Sequence, residues 1–329
     1  FHGAAWARVL VRTYGHTPQY VRFSQGGETV GLIPLMVVHS RFTGRRGVSL
    51  PFSDFCDPLI VDGGTASSHQ MVCQLTRLAI QGKWKHLEIR GGAAPDSASP
   101  SDMFYAHTLD LTRGVENTER GFASSVRRAI RKAENSGLRI RISRSEASVL
   151  DFYRLHVRTR RRHGLPPQPV AFFKAIYEEL IRLGLGFVAI AERERRGHAV
   201  VEHENIAAAV FFQLGDMAVY KFGASDERTW ELRPNNLLMG RAIRFLIESG
   251  VKSLHFGRTT VDSSGLRQFK LKWGTEENLV HYFRFHPQAQ AWIGGQPSHS
   301  RASIHNAIFS RLPLRLNRLA GSMIYRHLD

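Results

Sequence analysis

Two segments of this chain repeat one pattern, and that repeat limits the folds that the chain can adopt. Each segment reads as the end of an amphipathic helix, a glycine, a basic residue and a short strand. The segments are LAIQGKWKHLEIRG (78–91) and RFLIESGVKSLHFGR (244–258), about 167 residues apart. Two strand-like runs precede each of them, at Tyr20–Phe23 with Thr29–Val38 and at Ile206–Leu214 with Met217–Phe222. The sequence therefore predicts a duplicated α/β unit.

Length and composition agree with two such units. A chain of 329 residues is long enough for two ordinary domains, and 43% hydrophobic with 10% aromatic residues is typical of proteins with buried cores. We place the first domain at residues 1–114, the second at 115–286, and a linker with a C-terminal tail at 287–329. No run of 18 or more apolar residues occurs, so the sequence predicts no membrane-spanning helix.

Local patterns predict most of the connecting elements. Pro34 lies inside a strand-like run, which favours an edge strand or a bulge. Composition predicts a loop from Gly91 to Asp102 and a charged hairpin from Glu192 to Glu204. Helical spacing of apolar residues predicts helices near residues 6–14, 67–80, 122–133, 145–162, 169–184 and 234–249.

Charge is the bulk property that bears on partners. Forty-five Lys and Arg against 28 Asp and Glu give a formal net charge of +17. Such a surface attracts phosphates on RNA, on a nucleotide-linked precursor or on an anionic membrane. The alternative is that the arginine content reflects the composition of the source genome.

Basic residues are also concentrated in two helical segments. Residues Arg127–Lys132 form a charged face that either tracks a phosphate backbone or is simply solvated, and the run Arg160–Arg162 has the same two interpretations. Residues Ala302–Leu328 read as a basic amphipathic helix interrupted at Pro313. This tail either contacts an anionic membrane peripherally or packs back on the body of the protein.

No metal site is expected. Cys56 and Cys73 form no CxxC pair, and the 16 histidines show no HExxH or similar spacing. Two free thiols fit a reducing compartment. We therefore expect a cytoplasmic protein, with a peripheral position at the inner face of the membrane as one option.

The stretch from Tyr220 to Trp273 is the strongest candidate for a functional site. It reads as strand, loop, long amphipathic helix, strand, and a glycine-bracketed loop that ends in FKLKWG. It contains no nucleophile–base pair, but it places Lys270 and Arg258 near Gly257, Gly265 and Gly274. An enzyme that only aligns two substrates and stabilises developing charge needs a site of this kind.

Each of these side chains also has a structural interpretation. Lys270 is either a functional cation or a surface lysine on a strand, and Arg258 either meets a phosphate or pairs with Glu231 or Asp262. The remaining candidates are open in the same way. Arg90 either binds substrate or forms a structural ion pair, and Tyr220 either donates a hydrogen bond or packs in the core. His255 is interpreted as structural because of its strand position, and Asp262–Ser264 as a turn.

The motifs together resemble the FemAB family of peptidyl and aminoacyl transferases, which are built from two tandem GNAT-like domains. The resemblance covers Trp6 to about Phe285 and depends on the order and spacing of the motifs. They are VGLIPL (30–35), SLPF (49–52), LEIRG (87–91), VRRAIRKAENSGL (126–138), FGAS (222–225), PNNLLMGRAI (234–243), HFGRT (255–259) and GLRQFKLKWG (265–274). The implied fold class is α/β (α+β), with a mixed, mostly antiparallel sheet flanked by helices in each domain.

The resemblance also implies a chemistry. Members of the family add an amino acid from aminoacyl-tRNA to an amine of a peptidoglycan precursor. Lys270 in the FK motif would then stabilise negative charge on the donor carbonyl or a phosphate, with Arg258 as a supporting catalytic cation. The implied substrate-binding residues are Tyr220, Trp273, Lys272 and Arg90. The substrate amine itself is the nucleophile, so no catalytic triad is required.

Two departures leave the donor open. The place where acetyl-CoA enzymes of the GNAT type carry a Q/R-x-x-G-x-G/A loop reads RPNNLL (233–238), without either glycine. No extended heptad segment is present, so the helical arm associated with tRNA in some members is missing. We expect no permanently bound cofactor, and a phosphate-bearing donor that is either aminoacyl-tRNA or an acyl-CoA or acyl-carrier thioester.

The sequence thus predicts an N-acyl or aminoacyl transferase that acts on an amine of a cell-envelope precursor or polysaccharide. One alternative is a GNAT-type N-acetyltransferase that depends on acyl-CoA or an acyl carrier. The other is a non-catalytic module that binds RNA or an anionic membrane through its charge.

Overall fold

The structure, a computed structural model, describes residues 2–61, 68–92, 98–196, 201–295 and 302–328. Contacts divide the chain into two units. Unit 1 contains Phe1–Phe104, Leu279–Ala302 and Ser322–Asp329, and unit 2 contains Tyr105–Asn278 and Ser303–Gly321. Parts of the predicted loop after Gly91, the hairpin after Glu192 and the linker at Gly294–Ser298 lie outside the described residues.

The first segment of unit 1 carries two helices and five strands. They are α1 (Ala4–Tyr14), β1 (Thr17–Gln25), β2 (Glu28–Ser40), β3 (Gly44–Val48), β4 (Leu59–Ile60), α2 (Ser68–Gln81) and β5 (Leu87–Arg90). Helix α1 ends where Gly15 adopts the left-handed conformation and donates its N–H to the Val11 carbonyl. The two helices and strands β1, β2 and β5 match the predicted elements, whereas β3 falls in a segment where a loop was expected.

Unit 2 follows with a longer series of elements. They are β6 (Asp102–Asp110), α3 (Gly114–Gly121), α4 (Ser124–Asn135), β7 (Arg139–Ser143), α5 (Glu146–Arg162), α6 (Val170–Ile176), β8 (Gly186–Arg196), β9 (Val201–Leu214), β10 (Met217–Ser225), α7 (Pro234–Glu248), β11 (Ser253–Thr260) and α8 (Ser264–Leu271). The chain then forms β12 (Glu276–His286), β13 (Ala291–Trp292), α9 (Ala302–Arg311) and α10 (Leu314–Ile324).

Each unit has its own arrangement of mostly antiparallel strands. In unit 1 the order is β1-β2-β3-β5-β12, with β4 on β2 and β13 on β12. In unit 2 the order is β6-β11-β10-β9-β8-β7. Among the pairs with a described register, β3–β5 and β10–β11 are parallel, and the others are antiparallel.

The two parallel pairs correspond to the repeat found in the sequence. A parallel neighbour requires a crossover connection, usually a helix, and this is provided by α2 in unit 1 and by α7 in unit 2. The expected α/β (α+β) class with mixed, mostly antiparallel strands flanked by helices is therefore confirmed.

Helix α7 packs deep in the core of unit 2 because its sequence is apolar at the required spacing. Pro234 occupies the first turn of α7, where a missing backbone N–H is tolerated. Leu237, Leu238, Met239, Ala242, Ile243 and Leu246 are all buried in one cluster that also contains Trp273 and Phe256. The packing of α7 therefore determines where its N-terminus lies.

Pro34 does not lie in an edge strand or at a bulge, but one side of β2 has no described ladder at this position. Strand β2 has neighbours on both sides, and Pro34 pairs in register with Tyr20 of β1. On the other side the ladder with β3 begins at Met36, while the ladder with β4 covers only Gly31 and Leu32. Pro34 falls in the gap between these ladders, so no strand there requires its N–H.

Two further expectations need correction. The segment between Gly257 and Gly274 is not a continuous loop, because Ser264–Leu271 forms helix α8, with Leu266, Phe269 and Trp273 at helical spacing. Strand β6 was not predicted at all, although Met103–Leu109 is rich in strand-forming residues.

The C-terminal tail forms two helices with a break at Pro313, as predicted. Its residues 303–321 belong to unit 2. Asn317 is fully buried, Arg161 donates to the Ser310 carbonyl at 3.3 Å, and a Cβ at Gly321 would lie 1.9 Å from the Pro167 carbonyl oxygen. This part of the tail packs back on the body, which was one of the two alternatives.

Candidate active site

Strands β10 and β11 of unit 2 separate after a short stretch of pairing. Their parallel ladder runs only from Met217–Ser253 to Val219–His255, although both strands continue for several residues. On its other side β10 changes register against β9 between Tyr220 and Phe222. A bulge of this kind increases strand twist and turns side chains in a new direction. The two strands therefore stop pairing where the predicted site residues begin, and we call this gap the strand opening.

Tyr220 lies at the start of the strand opening. It is half-buried and packs against Phe211 and Phe256, with ring centroids 5.5 and 6.4 Å away. Burial raises the pKa of Tyr220 to about 12, so the phenol keeps its proton at neutral pH. Its hydroxyl lies over Gly223, where an added Cβ would be 1.9 Å from it. Tyr220 can thus serve as a neutral hydrogen-bond donor.

Lys270 lies on α8, and only 3% of its surface is exposed. Its ammonium donates to the carbonyl oxygen of Gly257 at 2.6 Å and to that of Arg258 at 3.1 Å. A buried ammonium is tolerated only when such acceptors surround it. Lys270 is therefore neither a surface lysine nor part of a strand. In this structure it ties α8 to the end of β11.

The end of β11 is also held by His255. The Gly257 N–H donates to His255 Nδ1 at 3.0 Å, and Gly257 has a φ of +74°, a conformation that favours glycine. His255 is 5% exposed, in agreement with its predicted structural role. Arg258 follows as a half-buried residue beside the strand opening. The backbone on this side of the opening is thus fixed by Lys270 and His255 together.

A buried histidine in the same unit was not anticipated. His107 on β6 is fully buried, and its Nε2 lies 2.9 Å from Glu277 Oε2. Arg267 contacts both oxygens of the same carboxylate, at 2.7 and 2.8 Å, and stacks on Tyr105 with its guanidinium carbon 4.1 Å from the ring centroid. The hydrogen bond from Arg267 lowers the pKa of Glu277.

Burial, followed by the positive charge of Lys270, lowers the pKa of His107. The imidazole is therefore neutral at pH 7, and its Nδ1 makes no hydrogen bond to the described residues. The sequence signal for this cluster was weak, because a lone histidine in an unpredicted strand has no motif around it.

Beside the predicted site residues of unit 2 lies a cavity of about 650 Å³. Helices α4 and α8 and the N-terminus of α7 line it. We call it the cationic pocket, because four basic side chains surround it and no lining residue is acidic. These four are Arg128, Lys132, Arg233 and Lys272.

All four cations are exposed, and none of them forms an ion pair with any described carboxylate. The positive end of the α7 dipole adds to their field. Two of them, Arg233 and Lys272, lie in the segments of the chain that follow β10 and β11, at the start of α7 and the end of α8. A pocket of unneutralised cations in this position is suited to bind phosphate groups.

The backbone at the start of α7 contributes little to such binding. Arg233 has a φ of +58°, and its carbonyl already accepts the N–H groups of Asn236 at 3.1 Å and Leu237 at 3.4 Å. Pro234 has no N–H to offer. Because the glycines are missing, the pocket can attract an anion mainly through its side-chain charges and not through a row of backbone N–H groups.

The other predicted site residues fall in different environments. Trp273 is fully buried and packs edge-on against Phe122, with ring centroids 5.0 Å apart. It cannot contact a substrate in this structure, so its expected binding role is corrected to holding α8 in the core. Lys272, one residue earlier, is exposed in the cationic pocket.

Arg90 lies in unit 1 and is 3% exposed. It pairs with Glu88 at 2.8 Å, donates to the Ser53 carbonyl at 3.3 Å and covers the ring of Tyr282. Its expected role in substrate binding is thus replaced by the structural ion pair that was the alternative.

The basic face of α4 is divided between two surfaces. Arg128 and Lys132 point into the cationic pocket, whereas Arg127 and Arg131 line a separate groove with α7. In that groove Arg241 pairs with Glu134 at 2.9 Å and Arg244 with Glu119 at 2.8 Å. The second groove is therefore partly neutralised, and the cationic pocket is the better anion site.

Neither a metal site nor a membrane span is found among the described residues. No group of three or more His, Cys, Asp or Glu side chains in the described ranges could hold a metal ion. No described helix combines the length and apolar character needed to cross a bilayer.

Comparisons with known proteins agree with this geometry. Residues 120–271 match the family model described as an acetyltransferase (GNAT) domain, which covers α4 to α8 and thus the strand opening and the cationic pocket. No curated protein matches the chain.

Solved structures show the same fold over most of the chain. FemX is similar with a TM-score of 0.65 and 14% identity, over 84% of this chain and 90% of that chain. L-PGS from Bacillus licheniformis has a TM-score of 0.53 and 12% identity, over 94% and 97% of the two chains. A tandem GNAT protein from the clavulanic acid biosynthesis pathway has a TM-score of 0.53 and 12% identity, over 87% and 88%.

These findings confirm the resemblance in fold that the motifs predicted. Residues 120–271 match the GNAT acetyltransferase domain model, and the chain shares its fold with FemX and with the tandem GNAT protein.

Proposed function

We propose that the protein transfers an acyl or aminoacyl group from a phosphate-bearing donor to an amine of a cell-envelope precursor or polysaccharide. The observation that carries this proposal is the cationic pocket, whose four cations have no described carboxylate partner. The GNAT domain match supports acyl transfer in general. The motif resemblance to FemAB proteins supports an envelope acceptor.

In this proposal the donor's phosphates bind in the cationic pocket and its acyl carbonyl enters the strand opening. The acceptor amine attacks the carbonyl carbon, a C–N bond forms, and the bond to the donor oxygen or sulfur breaks. The nitrogen loses one proton and the departing oxygen or sulfur gains one. Alignment of the two substrates supplies most of the rate enhancement, so no protein nucleophile is needed.

Two residues support this chemistry from the walls of the opening. The protonated Tyr220 hydroxyl donates a hydrogen bond to oxygen that becomes negative during attack. Lys270 acts as a positioning residue, because its ammonium holds the carbonyl groups of Gly257 and Arg258. Arg258 remains a predicted contact for donor phosphate.

The donor is either aminoacyl-tRNA or an acyl-CoA or acyl-carrier thioester. The GNAT domain match favours a thioester, whereas Pro234 and the absent glycines remove backbone groups that a CoA pyrophosphate would use. We favour the RNA-linked donor on this ground. An RNA also neutralises more cations than CoA, so its affinity should fall more steeply with salt.

The test compares donor binding in matched charge variants. Calorimetry with CoA thioesters and with aminoacylated tRNA measures affinity for wild type, for R233E/K272E in the cationic pocket, and for R311E/R315E, two exposed cations of unit 2 outside it. We expect the pocket variant to weaken binding by at least about tenfold and the control to change it less than about threefold.

Equal effects of the two variants would contradict a specific phosphate site. Micromolar binding of CoA thioesters without tRNA binding would transfer the proposal to the thioester donor. RNA binding with a steep salt dependence, without turnover of any donor in a mass-spectrometric transfer screen, would favour the non-catalytic binding module.

A further inference from the structure

Unit 1 contains a second basic surface, which the proposed transfer reaction does not use. The turn between β2 and β3 and residues 322–327 line a cavity of about 680 Å³. Its lining includes three arginines, two histidines and two large apolar side chains, and no acidic residue. They are Arg41, Arg45, Arg326, His39, His327, Phe42 and Met323. We call this surface the hairpin groove.

The two sides of the hairpin groove are fastened together. Ser40 Oγ accepts the N–H groups of Phe42 at 3.1 Å and Thr43 at 2.9 Å and lies 3.0 Å from His327 Nδ1. Arg46 donates to the His327 carbonyl at 2.8 Å. The groove is therefore a built part of unit 1 and not a chance approach of two surface segments.

Its charge is not compensated. Arg41, Arg45 and Arg326 are exposed, and no carboxylate in the described part of the chain pairs with them. Burial, followed by the charges of Arg326, Arg46 and Arg41, lowers the pKa of His327, which reflects the positive potential at this place. A partner that fits the groove must be anionic.

The apolar side chains restrict the partner further. Phe42 is 82% exposed and Met323 is 63% exposed. Phe42 contacts the edge of His327, with centroids 4.7 Å apart, and otherwise faces outward. Large apolar groups beside unpaired arginines are typical of proteins that insert side chains among lipid headgroups. Single-stranded RNA sites instead use several aromatic rings for base stacking, and a methionine cannot serve this purpose.

We propose that the hairpin groove docks unit 1 on an anionic phospholipid bilayer, with Phe42 and Met323 at the level of the headgroups and Arg41, Arg45 and Arg326 on lipid phosphates. A basic residue near an anionic bilayer contributes about 1 kcal/mol, which corresponds to about a fivefold change in binding. Burial of the Phe42 ring among the headgroups should raise the affinity for the bilayer by a further factor of about ten or more.

The test is cosedimentation of the full chain with vesicles of phosphatidylcholine alone and of phosphatidylcholine mixed with phosphatidylglycerol. The groove variant R41E/R326E is compared with R22E/R77E, two exposed arginines of unit 1 that do not line the groove. Both variants lower the formal net charge equally, from +17 to +13, because each replacement exchanges one positive for one negative charge. Circular dichroism verifies that both fold.

We expect wild type to bind only the anionic vesicles, the groove variant to bind them at least about thirtyfold more weakly, and the control to change by less than about threefold. Phe42→Ala should weaken binding by about tenfold, whereas Leu59→Ala, at an exposed leucine of β4, should not.

Equal losses in the two arginine variants would overturn the proposal, because net charge alone would then explain binding. A Phe42→Ala variant that binds like wild type would overturn the insertion of the ring. If R41E/R326E lost tRNA binding in a gel-shift assay but kept vesicle binding, the groove would be an RNA site and the proposal would be wrong.

Discussion

The ion cluster around Glu88 gives the sharpest test of how the structure uses Arg90. Glu88 is 4% exposed and accepts hydrogen bonds from Arg90 at 2.8 Å and from Arg284 at 2.7 Å. Burial alone raises the pKa of Glu88, but the charges of Arg90 and Arg284 outweigh it and lower the pKa to about 2. The change to make is Glu88→Gln, which keeps the shape and removes the charge.

The expected loss follows from this geometry. Opposite charges 2.8 Å apart attract each other by about 6 kcal/mol at a dielectric constant of about 20. Glutamine still accepts one hydrogen bond, but Arg90, at 3% exposure, loses the carboxylate that neutralises its buried charge. Removing one partner of such a pair costs about 3–5 kcal/mol of unfolding free energy. We expect a loss of about 3 kcal/mol in unit 1.

Urea unfolding followed by circular dichroism measures this loss, and hydrogen exchange of the β5 amides localises it to unit 1. The matched control is Glu28→Gln, at an exposed carboxylate of β2, which should change the unfolding free energy by less than about 0.5 kcal/mol.

The pH dependence provides a second check. Because the pKa of Glu88 is depressed when folded, its stabilisation is complete above the unfolded value of 4.5 and is lost as pH falls toward about 2. The difference between wild type and Glu88→Gln should therefore shrink below about pH 4.5. A loss under about 1 kcal/mol at neutral pH would refute the argument and would return Arg90 to the list of substrate-binding candidates.

Three further predictions concern unit 2. Lys270→Met should lower transfer activity in kinetic assays by about a hundredfold, because the Gly257–Arg258 backbone loses its anchor, and Lys270→Arg should keep part of the activity. If Lys270→Met were as active as wild type, the lysine would be dispensable. The NMR signal of the His107 imidazole can be assigned because it is absent from the spectrum of His107→Phe. Its pKa should lie below 6.5, and a titration midpoint above that value would contradict the buried neutral state. Gly321→Ala should lower the free energy of unfolding in urea by about 1–3 kcal/mol, because the added Cβ meets the Pro167 carbonyl. The control Gly265→Ala, which has open space around it, should leave this free energy unchanged or raise it. Similar unfolding free energies for the two variants would show that the tail packs loosely.

Local patterns predicted elements well where one face of the element is buried. The apolar spacing in α7 and the glycine at the end of α1 are visible in any short window of sequence. Strand β6 and helix α8 were missed because their buried faces are not uniformly apolar. His107 and Lys270 are polar residues at buried positions, and they interrupt the apolar pattern on which the predictions depend.

The roles of individual site residues were less predictable than the elements that carry them. Arg90 and Lys272 are both basic residues near glycines, yet one is buried in an ion pair and the other is exposed in the cationic pocket. Nothing in their local sequence distinguishes them. The difference arises from Glu88 and Arg284 around Arg90, and from the absence of a described carboxylate partner beside Lys272.

The sequence alone determined the repeated helix–glycine–strand unit, the class of fold and the resemblance in its motifs, because these depend on periodicities within one segment. Only the tertiary structure decided where β10 and β11 separate, which segments of the chain return to unit 1, and which cations remain unpaired. Those features depend on residues that are distant in the chain and meet only after folding. The cationic pocket is the clearest case, since α4, α7 and α8 each supply part of it.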